Sequence, residues 1–156
     1  MKGFTIAQEG HVVVLQVPVN VTGGATAQAF SMKKYQHASI IISIGAQAGQ
    51  MTSIVLNACT SAAGAGPAAI PFNVFKCETG SGDVLGAKVA VTAAGFQPSA
   101  TADIFYVIEI DAAELPQASP YVQVVIANGA NADYAAIIAI LSGARFAEDQ
   151  SPTEIT

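Results

Sequence analysis

Short apolar or alternating runs, rich in β-branched residues, recur along the chain at near-regular spacing, with Gly, Pro and Asn turns between them. A period of two belongs to a strand, whose successive side chains point to opposite faces, so an all-β chain is predicted. Residues 33–45, KKYQHASIIISIG, give the clearest element. Ile40, Ile41, Ile42 and Ile44 are β-branched, the run is too short for a typical helix, and Gly45 closes it. Apolar neighbours pointing both ways predict a strand buried on both faces. Tyr35 and His37 precede the run, where a ring covers the core edge and keeps its polar atom wet.

Other runs fall into place around that strand. HVVVLQV at 11–17 is ended by Pro18, which cannot donate to a central ladder. After the turn at Gly23 and Gly24, TAQAFSM at 26–32 returns as a strand with Phe30 and Met32 on one face. In MTSIVLNAC at 51–59, Ile54 and Leu56 mark a buried face, and Ser53, Val55 and Asn57 a wetter one. PFNVFKCE at 71–78, VLGAKVAVTAA at 84–94, DIFYVIEID at 103–111 and YVQVVIANG at 121–129 read as further strands. YAAIIAIL at 134–141 suits a helix by length, but its β-branched Ile137, Ile138 and Ile140 and its tight bounds favour a strand. Asp111 and Glu114 have the spacing of a capping pair, so AAEL at 112–115 is predicted to be one helical turn, stopped by Pro116, that carries the chain from one sheet to the other. About eight short strands with Gly, Pro and Asn turns predict an antiparallel β-sandwich, of jelly-roll type, as a single domain over 1–144. Residues 145–156, RFAEDQSPTEIT, lose the alternation and are expected to form an extended C-terminal arm.

Composition changes that picture in one respect. The chain has 156 residues, enough for one domain with a proper core, yet only 11% are charged and 52% are hydrophobic. So few charges solvate an exterior poorly, and cover by other subunits is expected. A net charge of −5, with Lys33 and Lys34 the only adjacent basic pair, argues against nucleic acid. The N-terminal MKGFTIAQEG does not read as a secretory leader, and no uncharged apolar stretch has the length of a membrane span, so synthesis in a cytoplasm is expected.

Candidate chemistry is sparse. A hairpin looping near Gly64 sets Cys59 opposite a residue near Ile70 and Cys77 opposite one near Thr52, too far apart for a bridge, and predicts two buried free thiols. His11 and His37 fall at strand borders, and no Ser or Cys sits in a nucleophile elbow. Glu109, Asp111 and Glu114 are the best metal candidates, but capping accounts for two of them without an ion. The segments TGG, GAGP and GSGD lack the Lys and the Ser or Thr of a phosphate loop and are read as turns. Asn20, Val21 and Thr22 spell a glycosylation sequon, which has no meaning without secretion. No catalytic, cofactor or metal site is expected, and no enzyme.

YQHASIIISIGAQAG, the alternating strand after it, ACTSAAGAGPAAIPF and SGARFAEDQSP resemble the jelly-roll cement or decoration proteins of tailed bacteriophages, over much of the chain from Tyr35 onward. The resemblance implies a structural virion protein, usually a homotrimer, seated outside the capsid over junctions between major capsid subunits. It supplies no catalytic residues. In the arm, Arg145, Phe146 and Ile155 are the candidate inter-subunit contacts, one cation and two apolar anchors of the sort that concentrate interface energy. The competing expectation is a carbohydrate-binding sandwich module of a phage fibre or tail, with Tyr121 or Tyr134 as the stacking ring.

Overall fold

The computed structural model describes residues 5–145. Among these the chain forms a short helix α1 (Ile6–Glu9) and eleven strands: β1 (Gly10–Asn20), β2 (Ala25–Thr26), β3 (Phe30–Ser31), β4 (Tyr35–Ile44), β5 (Ser53–Cys59), β6 (Ala68–Ala69), β7 (Phe72–Cys77), β8 (Val89–Val91), β9 (Ile104–Asp111), β10 (Tyr121–Ala127) and β11 (Tyr134–Ala144). A 3-10 turn, Ala112–Glu114, joins β9 to β10. Its start is the predicted capping box, in which the Glu114 carboxylate accepts the Asp111 backbone N–H at 2.8 Å.

Every strand pairs antiparallel. One sheet has six strands in the order β1-β11-β4-β9-β7-β8, and the other runs β2-β10-β5-β6 with β3 also on β10. Partner numbers descend on one side as they climb on the other: Gly10 faces Ser142, Phe30 faces Val122, and His37 faces Asp111. Strands β1 to β6 and β9 to β11 therefore make one long hairpin wrapped so that successive strand pairs alternate between sheets, which is the jelly-roll wrap, and β7 and β8 form a separate hairpin added at the β9 edge. The all-β sandwich expected from the alternation is the fold observed.

Period-two alternation supplies the core. In β9 Ile104, Tyr106, Ile108 and Ile110 are buried, and in β4 Ala38, Ile40, Ile42 and Ile44. They meet Ile54 and Leu56 of β5 and Val122, Val124 and Ile126 of β10 in a single cluster. Each of the Val, Leu and Ile side chains among them, fully withdrawn from water, stabilises the fold by roughly 1.5–3 kcal/mol. At the end of the sandwich where β4 and β10 lead out, the fully buried Asp133 ties two loops together, its Oδ1 accepting from the backbone N–H groups of Ala48 at 2.7 Å and Gly49 at 3.2 Å.

Several expectations need correction. Strand β4 is buried on one face only; Ile41, on the other, is partly exposed. Residues 51–59 and 71–78 do not form a simple hairpin. Ala68–Ala69 completes the turn back onto β5, and past Pro71 the chain crosses to the other sheet, where β7 pairs with β9 and β8. Proline's missing N–H makes that crossing a natural end to the first ladder. The stretch at 84–94 shrinks to Val89–Val91, because Gly86 and its neighbours take an irregular path pinned by the Gly86 N–H to the Lys76 carbonyl at 2.9 Å. The strand at 26–32 is two short pairings on β10, separated where the Gln28 N–H turns to the Leu15 carbonyl. With these divisions the expected eight or so strands become eleven, several of them only two or three residues long.

Candidate functional site

The two sheets differ on their outer faces. The smaller sheet's outer face is partly roofed by the chain's own loops: Gly64 lies against the Gln123 side chain, Gly95 against Val55, and Cys59, Tyr121 and Gln123 are all buried. Among the described residues the larger sheet has cover of this kind near β7, where Gly82 sits against Cys77.

Cross-strand register sorts the larger sheet's outer face into rows, because directly opposed residues share a face. One row runs Val14, Ile138, Ile41, Val107 and Phe75 across five strands, without a polar side chain. The next row is mixed: Val12, Ile140, Ser39, Glu109 and Asn73. Beyond it Ser142, His37 and Asp111 make a polar end. Val12, Val14 and Ile138 are 49%, 52% and 36% exposed, whereas a sandwich face meeting water usually carries polar side chains at such positions.

The polar end holds a cluster that sequence reasoning missed. His37 Nδ1 stands 2.7 Å from Asp111 Oδ1, and its Nε2 2.7 Å from Glu109 Oε2. An imidazole donates to both only when doubly protonated. Burial lowers the His37 pKa, but the hydrogen bonds and negative charge of Asp111 and Glu109 outweigh it, and the net shift is upward. Ser39 Oγ donates to Glu109 Oε2 at 2.7 Å and lies 3.5 Å from His37 Nε2. That is not a nucleophile–base pair, since the hydroxyl proton already goes to Glu109 and the ring nitrogen nearest the hydroxyl faces that same carboxylate. A signal was present in sequence as His-x-Ser on one strand and Glu-x-Asp on another, but only the register, His37 opposite Asp111 and Ser39 opposite Glu109, brings them together. Among the described residues no three His, Cys, Asp or Glu side chains are disposed to hold a metal ion.

Of the expected contact residues, Arg145 is described; Phe146 and Ile155 lie outside the described residues. Arg145 is exposed, is held at the end of β11 by its N–H to the Lys34 carbonyl at 2.9 Å, and lines a cleft of about 400 Å³ with Met32, Lys33, Leu115, Pro116 and Pro120. The cleft's lining combines apolar residues with the two cations Lys33 and Arg145, at the root of the expected arm. Tyr121 is buried, with the Lys33 ammonium 4.9 Å from its ring centre, and so offers no open face to a sugar; Tyr134 is exposed. Cys59 and Cys77 are free and buried, as expected, and burial raises the Cys59 pKa. His11 stacks on Tyr35 with ring centres 5.7 Å apart, and burial lowers its pKa.

No family model matches the chain, and no curated protein matches it. Among solved structures, the crystal structure of the SPBc2 prophage-derived protein YomS is similar to it, with 9% sequence identity and a TM-score of 0.45, over 85% of this chain and 92% of that one. At that level of likeness the functional reading rests on this chain's own residues.

Proposed function

We propose that this chain is a non-catalytic structural protein of a phage virion, which binds the outside of the capsid shell and cements or decorates junctions between major capsid subunits. The observation that carries the reading is the apolar row Val14, Ile138, Ile41, Val107 and Phe75 on an outer sheet face, in a chain of which only 11% is charged. Such a surface is suited to contact with protein. The segments from Tyr35 onward that resemble phage cement and decoration proteins supply the kind of partner. Shell contact is assigned to the arm and its root, where Arg145 meets the cleft beside Lys33.

Co-sedimentation of the purified full-length chain with empty capsid shells of its phage tests this. Wild type is expected to pellet with shells in a saturable, stoichiometric manner, and Arg145→Glu to bind at least about tenfold more weakly, the loss typical of a truncated interface hot spot. Wild type remaining in the supernatant at every shell concentration contradicts the proposal.

A further inference from the structure

We propose that the outer face of the six-stranded sheet is covered by the same face of a second copy of this chain. The inference deepens the contact reading above and rests on it in taking the apolar face as an interface; it adds what covers that face.

The cover, the size, the shape and the charge of that face carry it. The sequence of β4 has the character of a strand buried on both sides, yet the folded chain covers one side only, so Ile41 and its row lack the cover their residue types call for. The smaller sheet has its outer face partly roofed by loops at Gly64 and Gly95, so the two outer faces are not equally open. Size fits as well. Six strands at about 4.8 Å spacing and about 25 Å of strand length give a face on the order of 600 Å², at the lower end of the roughly 600–1,000 Å² per side that stable pairs bury.

Shape and charge point to the occupant. A row crossing five strands is matched best by another sheet face, packed about 10 Å away as within a sandwich, and this chain supplies one. The row carries no charge, so it meets its own copy without repulsion. The charges of this face, His37 with Glu109 and Asp111, are already paired with one another at one end, where they form a polar rim to an apolar centre.

The test is molar mass by light scattering on the full-length chain from about 1 µM to about 200 µM, for wild type, Ile138→Lys, Ile41→Thr and Thr26→Lys, with circular dichroism as the check of folding. Ile138→Lys places a charge from each copy in the centre of the contact, and Thr26→Lys adds the same charge on the smaller sheet. Wild type and Thr26→Lys are expected to be oligomeric and Ile138→Lys monomeric, with self-association weakened at least about 100-fold. Should Ile138→Lys fail to fold, the milder Ile41→Thr is read in its place and is expected to weaken association about tenfold. A wild type that stays monomeric throughout, or a folded face variant that associates as wild type does, overturns the inference. Shell co-sedimentation separates it from the proposed function: a monomeric chain that still binds shells removes this inference alone, and an oligomeric chain that ignores shells removes the capsid reading alone.

Discussion

Single side chains hold this sandwich together at its ends, where the ladders stop and loops must be fixed. Asp133 does so through Ala48 and Gly49, and Asp133→Ala leaves two backbone donors without their acceptor in a buried place. A loss of about 2–4 kcal/mol is expected by chemical denaturation; a loss under about 0.5 kcal/mol contradicts that role. Gly95 has φ +79 and an added Cβ would collide with the Ile54 carbonyl, so Gly95→Ala strains the backbone and disturbs the bridge between Ile54 and Phe96. About 1–3 kcal/mol of destabilisation is expected, again by denaturation. For His37 the sign follows from its raised pKa. The folded state holds the proton more tightly, so this contribution is complete below the unfolded value of about 6.5 and is lost as pH rises through the higher folded value. The His37 side chain is 34% exposed, so solvent screening keeps the effect to about 1 kcal/mol or less. Wild type is expected to lose up to about 2–4 °C of Tm between about pH 6 and about pH 8.5 in excess of His37→Gln; superposable profiles contradict the assignment. Neither Asp133 nor the His37 cluster was legible in the sequence. Each depends on partners about seventy to ninety residues distant, such as Ala48 for Asp133 and Glu109 for His37.

Among the elements, the long strands were legible because one face of each is a full row of the core. In β9 the alternation is nearly complete, and β11 was distinguished from a helix by its β-branched residues and tight bounds. The turn at Ala112–Glu114 was equally plain, because a capping pair is a local signal. Glu114→Ala removes the acceptor for the Asp111 N–H while leaving His37 its partners, and is expected to cost about 0.5–2 kcal/mol in thermal or chemical unfolding. An unchanged stability would mean that water satisfies that N–H as well as Glu114 does. Short edge elements were less legible. Ala25–Thr26, Ala68–Ala69 and Val89–Val91 are defined by what they lie beside, and their own residues carry little pattern. The expected double burial of β4 was read from genuine isoleucines, but the second covering layer is not supplied by the described residues of the chain.

The molecule as a whole is a hairpin wrapped into two sheets, one partly roofed by its own loops and one presenting an apolar row. The alternation and turn spacing carried the fold class; the wrap itself needed the pairing of distant strands, from Gly10 with Ser142 inward to Asn57 with Ala69. The proposed contact role rests on low charge density and that row, with the cleft at Arg145 as the proposed second surface. The most direct test of the proposed capsid role is electron cryomicroscopy of empty phage shells mixed with the full-length chain. The account predicts added density outside the shell, over junctions between major capsid subunits, into which the sandwich fits with its Arg145 end toward the shell. Bare shells at saturating protein, or density confined to the shell interior or the tail, would contradict it.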